Sequence, residues 1–244
     1  MSESVLDLRK DPMGWAIADY YNNGVAGRLR VFSSMFDEDE MSVKDLFRTF
    51  DKMPLLEQRA LELCCGNILD VGAGSGCHSL ALQEMGKDVC AIDISPRSVD
   101  VMQKRGVADV RFVNMYDKSL KGKFDTILML MNGTGIVGKI DKFSEFFARI
   151  NELLSEDGQV LIDSSDLIYL YENEDGSVDI DLNGSYYGEV DFMMQYKNMK
   201  GDTFDWLYVD FETLSYHADQ NGFCSELIFE GEHYDYLARI TRND

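Results

Sequence analysis

The strongest constraint in the chain is the stretch Ile68-Leu69-Asp70-Val71-Gly72-Ala73-Gly74-Ser75-Gly76-Cys77-His78. Its opening apolar run suits a strand covered on both faces, as in a parallel sheet. Gly72, Gly74 and Gly76 then give a turn whose backbone lacks Cβ atoms, so a ligand can approach the main chain. The residues after the turn open a helix, with unpaired N–H groups and a positive dipole end. Strand, turn and helix together form a nucleotide-type cradle.

The spacing narrows the ligand. A dinucleotide fingerprint needs G-x-G-x-x-G, its third glycine allowing close helix–strand packing. Counted from Gly72, that third position is Cys77. What stands instead is acidic-x-G-x-G-x-G, from Asp70 to Gly76. In this the sequence resembles the first motif of class I S-adenosylmethionine-dependent methyltransferases. The resemblance implies that Gly72, Ala73, Gly74 and Gly76 wrap the amino-acid end of S-adenosylmethionine. Asp70 then acts on its ammonium group, His78 lies beside that end, and S-adenosylhomocysteine is the product.

The rest of the chain supports an α/β fold. From residue 67, strands at 67–71, 89–92, 110–113, 124–131 and 160–162 alternate with helices near 77–85, 95–106 and 143–154. Such alternation argues for a doubly wound, Rossmann-like, mostly parallel sheet. A helix over about 212–221 and strands at 225–230 and 234–240 close the chain. That C-terminal antiparallel hairpin belongs to the seven-stranded methyltransferase fold and is lacking in a plain dinucleotide fold.

Two regions lie outside this pattern. Residues 1–66 read as an N-terminal helical cap or lid. Ser42 to Asp45 has the form of a capping box opening a helix through Phe50, and Pro54 starts a second helix. In the resembled family such helices commonly cover the cofactor cleft, where Arg48 would meet the cofactor carboxylate; an arginine merely in solvent is the plainer reading. Residues 67–244 read as one methyltransferase domain with an inserted arm at about 164–208. The arm holds antiparallel strands at 189–196 and 204–209, joined through Gly201-Asp202. Its Tyr186, Tyr187, Trp206 and Tyr208 either wall an acceptor pocket or pack the arm onto the sheet or a second subunit.

Asp93 ends the second strand, twenty-three residues after Asp70, where a carboxylate can accept from both ribose hydroxyls. By resemblance, Ile94 lies against the adenine, and the loop at Met115 and Tyr116 meets its edge. The family's usual acidic residue falls at Tyr116, with Asp117 one residue late. The carbonyl near Met131 receives the ammonium, and Asn132 faces the transferring methyl. The Asn/Asp-Pro-Pro-aromatic motif of base and glutamine methylases is absent at this place. Methyl transfer by in-line displacement asks mainly for alignment and exclusion of water. No general base stands out, and the catalytic candidates are Asn132, Asp166 and His233, with Asp163 and Asp166 flanking the end of the fifth strand. His217 reads as a surface or packing residue.

Composition limits the partners. A formal net charge of −21 over 244 residues repels nucleic acid and anionic membranes. The five cysteines form no C-x-x-C pair, so neither a metal site nor a disulfide framework is expected. No signal peptide or membrane span is legible. The expectation is a cytoplasmic monomer or homodimer acting on a small-molecule acceptor. A non-catalytic S-adenosylmethionine-binding regulatory or scaffold protein is the alternative. A nicotinamide-dependent oxidoreductase is opposed by Cys77 and the terminal hairpin.

Overall fold

The structure is a computed structural model, which describes residues 5–173, 175–181 and 183–243. In chain order its helices are α1 (Pro12–Asn23), α2 (Leu55–Leu63), α3 (Cys77–Glu84), α4 (Pro96–Arg105), α5 (Phe143–Leu153) and α6 (Phe211–Gln220). The strands are β1 (Leu29–Phe32), β2 (Asp39–Met41), β3 (Asn67–Val71), β4 (Asp88–Asp93), β5 (Asp109–Phe112), β6 (Phe124–Met129), β7 (Leu154–Ser165), β8 (Glu189–Tyr196), β9 (Met199–Lys200), β10 (Phe204–Leu207), β11 (Phe223–Glu230) and β12 (Asp235–Arg242).

The main sheet has seven strands in the order β11-β12-β7-β6-β3-β4-β5. Its pairs from β7 to β5 are parallel, and the β11–β12 hairpin joins β7 antiparallel. This is the Rossmann-like α/β architecture expected from the sequence. Alternation within the apolar strands splits the core in two. Leu69, Ile127 and Ile162 pack with Phe143, Phe146 and Phe147 of α5 and Leu214 of α6. Ile68, Leu128 and Leu161 pack with Ala60 and Leu61 of α2 and Leu82 of α3. A covering layer on each face explains why these strands read as unbroken apolar runs. His217 stacks on Phe143 at 4.7 Å, so it is a packing residue.

A second, antiparallel sheet has the order β10-β8-β1-β2, with β9 beside β8. It joins the two regions outside the main fold. Leu29 to Phe32 of the N-terminal segment pair with Tyr196 to Met193 of the arm. Cap and arm are therefore one lid with a shared sheet. The arm's turn lies at Lys197-Asn198, because Tyr196 pairs with Met199 and Lys197 takes φ 53°. The expected turn at Gly201-Asp202 is the link from β9 to β10. The helix expected from Ser42 through Phe50 is instead two 3-10 turns, Val43–Phe47 and Phe50–Lys52. Ser42 makes no side-chain cap, and Val43, Phe47, Thr49 and Phe50 are poor helix formers. Arg48 and Thr49 between the turns are extended. Among the described residues, no helix is long and apolar enough to cross a membrane.

Candidate active site

A cavity of about 1280 Å³ lies between the C-terminal ends of the parallel strands and the lid. Its floor is the glycine turn. Gly72, Gly74 and Gly76 all take left-handed φ, at 71°, 58° and 81°. A Cβ on Gly72 or Gly74 would meet no atom closer than 3.6 Å, whereas one on Gly76 would meet Met102 and Val107 at 2.9 Å. Gly72 and Gly74 thus leave the cavity floor bare, and Gly76, which is not on the cavity wall, lets α3 pack against α4. Asp70 is buried and accepts from Ser79 Oγ of α3 at 2.5 Å. Burial raises its pKa.

Asp93 is fixed by two backbone donors. Gly74 N–H donates to one carboxylate oxygen at 2.8 Å and Ser95 N–H to the other at 2.7 Å. Burial outweighs these bonds and pushes the carboxyl up to about 7, with Asp11 and Asp70 adding to the shift. Asp11 reaches this point from the lid. It caps α1 through Gly14 N–H and accepts from Ser95 Oγ at 2.6 Å. Leu6 N–H also donates to the Ile94 carbonyl at 2.9 Å. Gly14 makes the junction possible, because a Cβ there would sit 2.2 Å from Asp11 Oδ2 and 2.3 Å from Ser95 Oγ. Gly14→Ala should therefore lose the cap and the carboxylate bond together. The expected cost is about 2–4 kcal/mol, read as a fall of roughly 5–15 °C in Tm. An unchanged Tm would show the junction to be dispensable.

After β5, Met115 and Tyr116 line the cavity and are buried. Arg149 of α5 holds this loop, donating to the carbonyls of Met115 (2.6 Å), Asp117 (2.9 Å) and Leu120 (3.0 Å). Asp117 is not on the cavity wall; its carboxylate accepts from Ser119 N–H. The Tyr116 hydroxyl is buried without a hydrogen-bond partner.

At the end of β6 the backbone is strained. Met131 and Asn132 take φ 67° and 61° in succession, a conformation costing of order 1–3 kcal/mol for each such residue. Three bonds hold the turn. Asn132 Nδ2 donates to the Leu207 carbonyl at 3.1 Å, Ser164 Oγ donates to Asn132 Oδ1 at 3.1 Å, and Gly133 N–H donates to Asp163 at 2.8 Å. Burial pushes Asp163 up to about 6. The Asn132 side chain therefore ties the turn to the lid strand β10.

The structure brings Asp70, Gly72, Ala73, Gly74, His78, Asp93, Ile94, Met115, Tyr116, Met131, Asn132 and His233 to one cavity. Asp166 is not on its wall and accepts from Ile168 N–H and the Tyr187 hydroxyl instead. It supports the arm rather than the cavity wall. His78 is buried and its Nε2 lies 2.8 Å from Glu57 of α2. Arg48 pairs with the same carboxylate, so it is neither solvated nor free. The arm's aromatics divide: Trp206 and Tyr208 line the cavity, while the Tyr186 hydroxyl donates to Asp210 and the Tyr187 hydroxyl to Asp166 and Asp210 away from its wall.

A methyltransferase-domain family model matches residues 68–158. An S-adenosylmethionine-dependent methyltransferase from Bacteroides fragilis, crystallised with S-adenosyl-L-homocysteine, is 60% identical, with 99% of each chain covered and a TM-score of 0.94. This chain belongs to the S-adenosylmethionine-dependent methyltransferases. An uncharacterized methyltransferase of Staphylococcus carnosus is 26% identical over 150 residues, 57% of this chain and 72% of that protein. A glycine/sarcosine N-methyltransferase of Parasynechococcus marenigrum is 30% identical over 107 residues, 40% of this chain and 37% of that protein. The methyltransferase also carries residues that motif reading did not find. Asp11 had a signal in Asp11-Pro12, a helix start. Glu57 and the lid residues Val31, Phe192 and Met194 carried none, because only tertiary pairing brings them to the site.

Proposed function

We propose that this methyltransferase acts on a small molecule enclosed beneath the lid. The supporting observation is the cavity's size and position. Pockets for one drug-sized ligand run about 300–1,000 Å³, and this one is about 1280 Å³ beneath the antiparallel lid sheet. That suits a cofactor and a second small molecule side by side. A macromolecular acceptor would need an open approach, and the net charge of −21 opposes nucleic acid.

The residues present suit the cofactor. The bare backbone of Gly72 and Gly74 is a cradle that a Cβ would fill. Asp93, in a position for ribose hydroxyls, and Asp70 and the Met131 carbonyl, for an ammonium, supply acceptors for the cofactor's donors. Ile94, Met115 and Tyr116 would enclose the adenine, and Gly72, Ala73 and His78 the amino-acid end. S-adenosylmethionine, when bound, supplies a methyl group already activated on a sulfonium. The chain's part is then alignment and dryness. The strained turn at Met131-Asn132 fixes the wall beside the reacting centre, and the lid excludes water. His233, exposed on the cavity wall, is a candidate for moving a proton where the acceptor needs one moved.

Incubation with tritiated S-adenosylmethionine and a cell extract separates the outcomes. Label should appear in the low-molecular-mass fraction. Label confined to protein or RNA would overturn the small-molecule reading, and cofactor binding without transfer to any fraction would point to a binding protein.

A further inference from the structure

The underside of the lid has a composition of its own. Phe192 and Met194 of β8 and Phe204 and Trp206 of β10 face the cavity, with Tyr208 just beyond. These rings form a chain: Phe204 contacts Trp206 edge-on at 5.9 Å, Phe192 lies 6.3 Å from Phe204, and Tyr208 lies 6.4 Å from Phe192. None is fully buried, so their free faces meet cavity space. Trp206 lies directly on the turn that follows Asn132. A Cβ on Gly135 would stand 1.9 Å from its indole Cε2, so the glycine is what lets the ring lie there.

The cavity as a whole is lined by more acidic than basic groups. Carboxyl groups outnumber lysines eight to three among the charged residues lining it. Lys10 pairs with Asp202 at 2.5 Å, Lys139 with Asp205 at 3.5 Å and Arg30 with Glu38 at 2.5 Å, which leaves Asp11, Asp37, Asp39, Asp70 and Asp93 against Lys142. An anionic acceptor would enter against this excess. A flat π-system would stack under the rings, and a cation formed there would gain from both the π faces and the carboxylates.

Proton chemistry narrows the class. Asn132 is occupied in two hydrogen bonds, and Asp166 is turned to the arm. His233 lines the cavity from the β11–β12 turn and is exposed to solvent. A nucleophile that carries a free lone pair at neutral pH needs no base.

We propose that the acceptor is a planar nitrogen heterocycle, uncharged before transfer and cationic after it, stacked beneath Trp206. The ring-nitrogen lone pair forms the new N–C bond to the methyl as the carbon–sulfur bond breaks. The bonding pair stays on sulfur, leaving S-adenosylhomocysteine and an N-methyl heterocyclic cation. No proton is transferred. This rests on the small-molecule reading above and adds the chemistry of the acceptor.

The test titrates isoquinoline into the protein saturated with S-adenosylhomocysteine, at mildly alkaline pH, by calorimetry. Benzoate supplies an aromatic anion and glycine a non-aromatic amine. Isoquinoline should bind at least about tenfold more tightly than either. Trp206→Ala should weaken it about tenfold with S-adenosylhomocysteine affinity kept, and Trp206→Phe should restore most of the loss. With S-adenosylmethionine, mass spectrometry should find N-methylisoquinolinium. Equal or tighter binding of benzoate or glycine, or an unchanged isoquinoline affinity in Trp206→Ala, would overturn the proposal. Transfer of tritium to an anionic or non-aromatic metabolite would overturn it while leaving the small-molecule reading intact, and label only in macromolecules would remove that reading itself.

Discussion

Asp93→Asn is expected to weaken S-adenosylhomocysteine binding by about 10- to 100-fold and to flatten the pH dependence of the free protein's stability. Both effects come from one buried carboxylate. In the free protein it is pushed up to about 7, chiefly by burial. An acid whose folded pKa lies above its unfolded value of 3.8 is penalised for ionising. Its favourable share of stability is present below about 4 and is lost as pH rises toward about 7. The amide does not ionise, but its NH2 must face one of the two backbone donors, Gly74 N–H or Ser95 N–H, which leaves that donor unsatisfied. The variant should therefore be less stable than the parent near pH 4, and the gap should narrow as pH rises past about 7. Toward the ligand the ionised form is the favoured one. The carboxylate has remaining lone pairs for hydroxyl donors, and each charge-assisted bond is worth about 1.5–3 kcal/mol. Parent affinity should rise as pH climbs through about 7, and the variant should lack that rise. Calorimetry and thermal melts across this range check both; equal affinities, or a Tm gap that does not narrow as pH rises, would refute the assignment.

Glu57→Ala is expected to cost about 3–5 kcal/mol, the usual result of removing one partner from a buried charge cluster. Glu57 is buried between His78 and Arg48. Burial raises its pKa, but bonds from His78 and Arg48 prevail and hold it below the usual 4.5. His78 is likewise lowered by burial and raised further by Glu57 and Asp70, ending above 6.5. The Glu57 contribution is present above 4.5 and lost as pH falls through its lowered pKa. That of His78 is full below 6.5 and lost as pH rises through its raised pKa. The cluster therefore stabilises most between about 4.5 and 6.5, and the loss in Glu57→Ala should be greatest there. Because His78 also lines the cavity, ligand affinity should fall too. Chemical denaturation at three pH values measures the first effect. A pH-independent loss below about 1 kcal/mol would contradict the pairing.

The half of the site made by local chain geometry was legible in the sequence. A strand, a glycine turn and a helix are contiguous, so Asp70 through His78 declare themselves by spacing alone. Asp93 was legible for the same reason, since a strand ending in Asp-Ile-Ser-Pro announces a helix start. The lid was not. Its β1 pairs with β8 about 160 residues away, and strands of four and three residues with mixed polarity leave no periodicity to read. Asn132 shows the limit of a motif. Its position beside the cavity was foreseen, but its side chain is consumed by Leu207 and Ser164, contacts made by segments that only the fold brings near. Asp117 and Asp166 lie off the cavity wall, each accepting from a backbone donor of its own loop.

A crystal structure of the S-adenosylhomocysteine complex would show how this cavity holds the cofactor. Ribose hydroxyls are expected on the Asp93 carboxylate, the amino-acid end over Gly72 and Gly74, and the sulfur facing the space between the Met131-Asn132 turn and Trp206. A ligand whose ribose lies away from Asp93, or whose sulfur points out of the space beneath the lid, would contradict this placement.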